Sequence, residues 1–268
     1  MSNTIGPSSV WFYKTENLAL GSHHAQFAHH SPTPGPRAAW SAPMILAAGA
    51  VPAHAVSVCQ TVSYAPPLNT NTVTRASASS ATGAFNPVTP VNSPTGPVKP
   101  TVAVTFQATA LGGKALQASQ NLAVAGQQQA LGYNGAGDLA TNGLELIQSG
   151  PIGYAARQTL TITFDRPVSN LAFTIADLDQ AGYLDQVALS GSPTVSNGSN
   201  VSGAGTTTSP LGPATNVGDR NSDDLTTRSD IRYSQPVTSV TIDFWSKQGT
   251  LSQQVFISGM SFTASTCP

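Results

Sequence analysis

Short runs in which apolar and polar residues alternate constrain this fold more than any other feature of the sequence. Leu160, Ile162 and Phe164 form one such run, and their side chains share a face if the segment is extended. Comparable runs lie at residues 101 to 111, 171 to 175, 187 to 189, 240 to 244 and 255 to 262. Clusters of Gly, Pro, Asn and Ser separate them, as in proteins built from many short strands. We therefore predict an all-β fold, an antiparallel two-sheet β-sandwich of jelly-roll type.

Three segments between these runs are typical of turns or loops. The Asp-Arg-Pro sequence at residues 165 to 167 predicts a turn between two strands. Residues 65 to 100 contain seven prolines, so we expect mostly loop with at most short edge strands. Residues 191 to 229 are polar and show no apolar pattern, which predicts a long, flexible loop without core residues.

Residues 37 to 55 have the parts of a secretory signal peptide in the expected order. Arg37 precedes an apolar run over residues 42 to 51, and Ala53-His54-Ala55 is a small-residue cleavage site. Cleavage there would release residues 56 to 268 as one secreted domain. Residues 1 to 36 would be a disordered leader, or the product of a translation start placed too early. The apolar run is shorter than the roughly 20 residues that cross a bilayer, so we expect no transmembrane anchor after cleavage.

Two cysteines, Cys59 and Cys267, lie at the two ends of the secreted part. In an oxidising compartment an even pair favours a disulfide, and two free thiols are the alternative.

The composition of the secreted part excludes several classes of function. All five histidines precede residue 56, so the imidazole base of Ser-His-Asp and Cys-His enzymes is missing, as are the usual ligands of catalytic zinc. The Lys and Arg residues are scattered singly along the chain, whereas a nucleic-acid binder presents a basic stripe. Glu145 could serve a glycosidase as one of two carboxylates, but an outward residue on a half-buried strand is the simpler interpretation.

Three aspartates, Asp177, Asp179 and Asp185, form the sharpest candidate site. Strand alternation places them on one face at one rim of the sheet, where their repulsion must be neutralised. Calcium is the cation that takes such carboxylates in irregular geometry, so we predict a calcium site. The alternatives are a solvated turn with three exposed aspartates, or ion pairs with nearby arginines, namely Arg220, Arg228 and Arg232.

Aromatic residues at strand ends supply a second candidate site. Trp245 lies on the outer face of its run and Tyr183 lies in a turn, so both rings could stack on sugars. Packing beneath loops is the alternative.

Short motifs resemble domains of bacterial cell-surface and secreted adhesin-like proteins. They are Ile-Ala-Asp-Leu-Asp at residues 175 to 179, Gln-Ala-Gly-Tyr-Leu-Asp-Gln-Val at 180 to 187, and Val-Thr-Ser-Val-Thr-Ile-Asp-Phe at 237 to 244. The resemblance covers residues 101 to 264 and implies a lectin-like β-sandwich that binds rather than catalyses. The segment at 37 to 55 is similar to export signals of high-GC Gram-positive bacteria.

These observations predict a secreted, noncatalytic module for binding or adhesion at the bacterial surface or outside the cell. Its ligand would be an extracellular glycan or a protein. The alternatives are a structural component of an envelope or matrix without a discrete ligand and, more remotely, a carboxylate-dependent glycoside hydrolase.

Overall fold

The computed structural model describes residues 59–93, 96–98, 100–124, 143–215 and 217–267. The leader and export segment predicted for residues 1 to 55 lie outside this part of the chain and stay predictions. Within it, no helix is long and apolar enough to span a bilayer.

The described residues are nearly all β, and every strand pairing is antiparallel. Their sheets curl and pack as a sandwich-like fold, so the predicted fold class is confirmed. The strands are β1 Thr61–Tyr64, β2 Val73–Arg75, β3 Ser80–Phe85, β4 Val91–Ser93, β5 Gly96–Val98, β6 Val102–Ala110, β7 Ala115–Leu116, β8 Gly143–Ser149, β9 Gln158–Ala176, β10 Asp185–Leu189, β11 Thr194–Asn197, β12 Val201–Ser202, β13 Gly212–Pro213, β14 Ser229–Arg232, β15 Val237–Ser246, β16 Gln253–Ser258 and β17 Ser261–Ser265. A single turn of 3₁₀-helix spans Leu225–Thr227.

The 19-residue strand β9 organises the sheet. Its first half pairs with β6 on one edge and β15 on the other. Its second half pairs with β14 on the edge that β15 occupies, because both strands flank the same short turn. On the opposite edge, β17 and then β16 follow β6. The strand β9 therefore runs through two parts of the curled sheet, one with β6 and β15 and the other with β14, β16 and β17.

The turn predicted at residues 165 to 167 is wrong, because β9 runs through it without a break. Pro167 lies where the ladder with β15 is interrupted, between the pairs Ser239–Thr163 and Val237–Val168, so its missing N–H costs no regular ladder bond. Just beyond, Asn170 has a φ of 54°. This left-handed residue acts as a bulge, and both Val168 and Leu171 point into the core although a regular strand would place them on opposite faces.

The core is built from the inward residues of the alternating strands. In β6, Val102, Val104 and Phe106 are buried while the residues between them are exposed, as the pattern predicts. Phe262 on β17 stacks on Tyr64 of β1 with ring centroids 4.9 Å apart.

Cys59 and Cys267 form a disulfide, with their Cα atoms 5.3 Å apart. Pairing of β1 with β17 brings the two ends of the domain side by side. The predicted disulfide is confirmed, and the alternative of two free thiols is wrong.

Residues 191 to 229 differ from the polar loop that we expected. They contain β11, β12 and β13, and Val201 and Leu211 are buried in the main core. Leu211 bridges to Val187 of β10. The expectation of no core residues is wrong, because isolated apolar residues anchor the segment without a periodic pattern. Flexibility of this segment stays a prediction.

Candidate functional site

The three predicted aspartates are buried rather than exposed at a rim. Asp177 and Asp179 follow the end of β9 and are 3% and 1% exposed, and Asp185 opens β10 and is 0% exposed. Asp177 has a φ of 69°, a left-handed conformation that aspartate tolerates better than most residues. The alternative of three solvated aspartates is therefore wrong.

Hydrogen bonds within the fold engage Asp179 and Asp185. The Tyr183 hydroxyl donates to Asp179 Oδ1 at 3.0 Å, and the backbone N–H of Arg220 donates to Asp179 Oδ2 at 2.6 Å. The backbone N–H of Asp179 donates to Asp185 Oδ2 at 3.2 Å. These two carboxyls thus tie together the loop after β9, the start of β10 and the loop at Arg220.

Asp177 is less well satisfied. Gln254 Nε2 donates to its Oδ2 at 3.2 Å, while its Oδ1 is buried without a hydrogen-bond partner. Burial, and then the charges of Asp179 and Asp219, raise the pKa of Asp177 to about 8. Burial also raises the pKa of Asp179 to about 6 and that of Asp185 well above its usual range. The fold therefore favours the protonated form of these carboxyls.

The geometry does not favour the predicted calcium site. In the described ranges, no group of three or more His, Cys, Asp or Glu side chains is arranged to hold a metal ion. Asp179 directs both of its oxygens at donors of the fold, which leaves few lone pairs for a cation.

Glu145 is buried at 1% exposure on β8, so the expectation of an outward residue is wrong. Burial raises its pKa to about 7, and its charge contributes to the raised pKa of Asp177. Two such carboxyls have the electrostatics of an acid–base pair. Their burial, however, closes both to a polysaccharide substrate.

The exposed platform expected at Trp245 is wrong as well. Trp245 is 5% exposed because the ring of Tyr154 covers it edge-on, with centroids 5.1 Å apart. The guanidinium of Arg157 lies 4.2 Å over the Tyr154 ring and also pairs with Asp243, which fixes this cover. Tyr183 is partly buried, and its hydroxyl is hydrogen-bonded to Asp179. Packing beneath loops, the alternative interpretation, describes both aromatic residues.

An open groove of about 600 Å³ lies on the outer face of the second half of β9, away from all of the predicted site residues. Its floor is formed by β11, β14, β9 and β17, lying side by side in that order. Its rims include Ala65 and Pro66, which directly follow β1, and Gly259 and Met260, which connect β16 to β17. We call it the β9 groove.

Two cross-strand rows of polar residues cross the floor of the β9 groove. In the first, Ser196 pairs with Asp230 and Asp230 with Thr174, whose backbone N–H donates to Ser258 Oγ at 2.8 Å. The second row contains Thr194 on β11, Arg232 on β14 and Ser261 on β17, and it is interrupted by the apolar Ala172 of β9. The buried neighbours Phe173 and Ile231 alternate with these residues, so the rows face outward.

The two charged residues of the β9 groove differ in their partners. Asp230 accepts a hydrogen bond of 2.6 Å from the Thr174 hydroxyl. Arg232 is exposed, and its side chain makes no hydrogen bond or ion pair with any described residue. A second cavity of about 250 Å³ continues the groove, because it shares Thr174, Ser196 and Asp230 and extends past Arg228 to the exposed Leu225.

Sequence reasoning missed the β9 groove for an identifiable reason. Residues 229 to 233 alternate between buried and exposed positions, a pattern visible in the sequence Ser-Asp-Ile-Arg-Tyr. This run is short and adjoins the polar insertion, so alternation alone does not predict a strand there. Its pairing with β9 and β11 is a long-range property that alternation cannot supply.

No protein-family model matches this chain, and no match was found among curated proteins or solved structures.

Proposed function

We propose that this protein is a noncatalytic carbohydrate-binding module that works outside the cell, with the β9 groove as its binding face. The observation that carries the proposal is the pair of cross-strand rows, in which hydroxyls surround one carboxylate and one guanidinium. The sequence predicts either a glycan or a protein as the ligand, and we propose the glycan.

The chemistry of the rows suits a polyhydroxylated ligand. A sugar hydroxyl both donates and accepts hydrogen bonds, and Ser and Thr hydroxyls do the same. Asp230 adds an acceptor and Arg232 adds donors. Because the four strands hold these groups in register, little side-chain and backbone freedom is lost on binding. The combined volume of the groove lies in the usual range for ligand sites.

The charge content of the groove supports binding without hydrolysis. Among the described residues that line both cavities, Asp230 is the single carboxylate, whereas most glycosidases need two that flank the scissile bond. The carboxyls with raised pKa, Glu145 and Asp177, are buried elsewhere.

Two observations support a site of action outside the cytoplasm. The disulfide between Cys59 and Cys267 is of the kind that persists in oxidising compartments. Residues 37 to 55 have the pattern of a signal peptide. The resemblance to adhesin-like domains agrees with a binding role there.

A glycan array followed by calorimetric titration tests this function. We expect the wild type to bind at least one glycan class, and Thr174→Val and Asp230→Asn to weaken that binding at least tenfold. The matched control is Thr105→Val, which removes a hydroxyl from an exposed position of β6 outside the groove and should bind as the wild type does. Retention of full affinity by both groove variants, or binding of proteins but of no glycan, would contradict the proposal.

A further inference from the structure

We infer that the glycan recognised by the β9 groove is anionic, a chain that carries carboxylate or sulfate groups on its sugars. This inference rests on the proposed function and specifies its ligand class. It comes from the charges along one strand and from two guanidinium groups that the fold leaves incompletely paired.

The outward residues of β14 and its start alternate in charge. Arg228, Asp230 and Arg232 are two positions apart, so their side chains leave the same face of the strand. At about 3.3 Å per residue, the two arginines are about 13 Å apart along the strand. Two cations therefore flank one carboxylate, and the residues that line the β9 groove and the adjoining cavity together carry a net positive charge.

The Arg232 guanidinium is free to bind an anion. It lies in the larger cavity, exposed, without a hydrogen bond or ion pair to any described residue. Asp230, its neighbour on the same face, is instead engaged by the Thr174 hydroxyl at 2.6 Å. A planar guanidinium forms its strongest contacts with carboxylates and other oxyanions, which it can bind in bidentate fashion.

Arg228 supplies an independent observation in the adjoining cavity. Its Nη2 donates to the backbone carbonyl of Ser222 at 3.2 Å, but its Nε is buried and has no hydrogen-bond partner. This bond from Nη2 leaves most of the donors of the guanidinium without an acceptor among the described residues. An oxyanion in the smaller cavity would supply acceptors for the part of the guanidinium that lines it.

Asp230 between the two arginines selects the rest of the ligand. A uniformly dense polyanion would place negative charge against its carboxylate, whereas a sugar chain can place a hydroxyl there. The pattern of cation, acceptor and cation therefore suits a glycan whose anionic groups are separated by neutral, hydroxyl-rich positions, and it disfavours a nucleic-acid backbone.

A comparison of matched ligands tests this inference by calorimetry. The probes are a hyaluronan oligomer, whose carboxylates lie on alternate sugars, its methyl ester, a keratan sulfate oligomer and duplex DNA. We expect one of the two anionic glycans to bind at least tenfold more tightly than the methyl ester, and DNA to bind more weakly than either. Preference for carboxylate over sulfate, or the reverse, identifies the anionic group.

Two variants and a control assign the effect to the arginines. Arg232→Gln should weaken binding of the anionic ligand by a much larger factor than binding of the methyl ester and so remove most of the preference, and Arg228→Gln should reduce the preference. Arg166→Gln, which removes an arginine from β9 outside the groove, should retain the preference.

The possible failures are distinguishable. Binding of neutral glycans with no preference for anionic ones would overturn this inference and leave the proposed function intact. Binding of DNA as tight as that of the anionic glycans would also overturn it. No binding of any glycan would remove the proposed function itself.

Discussion

Thr174 on β9 and Asp230 on β14 are direct cross-strand partners, and the Thr174 hydroxyl donates a hydrogen bond of 2.6 Å to Asp230 Oδ1. This contact fixes the carboxylate of Asp230 in the floor of the β9 groove and leaves its second oxygen for a ligand. Asp230 and Arg232, two residues apart on the same strand, form no ion pair with each other. The β9 groove therefore presents an acceptor and a set of donors side by side, as the proposed function requires.

The disulfide should be a major source of stability. Cys59 and Cys267 are separated by 208 residues, and closing a loop of that length is worth about 5 kcal/mol on the chain-entropy model. We expect reduction, or the Cys59→Ser/Cys267→Ser variant, to lower the denaturant midpoint markedly with the fold retained. Urea unfolding with and without reductant measures this. Equal midpoints for the oxidised and reduced wild type would contradict it, and the double variant, as a control, should not respond to reductant.

The buried carboxyls should make the protein less stable as the pH rises. Burial raises the pKa of Asp177 to about 8 and that of Glu145 to about 7. Below about pH 4 both groups are protonated in the folded and unfolded chains, so they do not lower the free energy of unfolding. Above it the unfolded chain releases protons that the folded chain retains, and each group lowers the free energy of unfolding by about 1.4 kcal/mol per pH unit up to its folded pKa.

Urea unfolding between pH 4.5 and pH 8.5 checks this sign. Stability should fall across that window for the wild type, and Asp177→Asn and Glu145→Gln should each flatten the decline. The control is Asp224→Asn, because hydrogen bonds from Thr226 lower the pKa of Asp224 and its contribution does not change above pH 5. A free energy of unfolding that rises from pH 5 to pH 8 would refute this account of the buried carboxyls Asp177 and Glu145.

The left-handed conformation of Asn170 should be required for the course of β9. Its φ of 54° suits Asn or Gly, whereas a β-branched residue there is strained. We expect Asn170→Val to lose about 1 to 3 kcal/mol of stability and Asn170→Gly to remain close to the wild type. Thermal unfolding compares the two variants, and equal tolerance of Val and Gly would show that the bulge is not needed.

Trp245 should contribute to stability and not to binding. Because Tyr154 covers it, Trp245→Ala should destabilise the fold by about 3 to 5 kcal/mol, while Trp245→Phe should cost less. Binding of any glycan that the wild type recognises should survive in Trp245→Phe. A loss of affinity in that variant at unchanged stability would restore the platform interpretation that the burial of Trp245 argues against.

The sequence predicts the fold class and the disulfide but not the groove. Alternation in the runs at Leu160 and Val102 specifies half-buried strands, and two terminal cysteines in a domain with a signal-like leader specify a bridge. Alternation does not reveal which strands pair, so neither the continuity of β9 through Pro167 nor the partnership of β14 with β9 could be read from it.

The candidate site was misplaced because local pattern does not report what covers a surface. Alternation places Asp179 at the rim of the sheet and Trp245 on its outer face, yet the loop at Arg220 and the ring of Tyr154 bury them. Both covering groups are far away in the chain, at 41 and 91 residues in sequence. The aspartates expected at an open rim are therefore buried and hydrogen-bonded within the fold. The β9 groove lies partly on short strands, such as β14, whose alternation spans too few residues to predict a strand.

The most direct test of the binding face is an amide NMR titration of the wild-type protein with the hyaluronan oligomer. We expect the largest chemical-shift changes at Thr174, Ser196, Asp230 and Arg232, with little change near Trp245 or Glu145. Changes that cluster on another surface of the domain, or none at saturating ligand for this or any glycan from the array, would contradict the assignment of the β9 groove as the functional site.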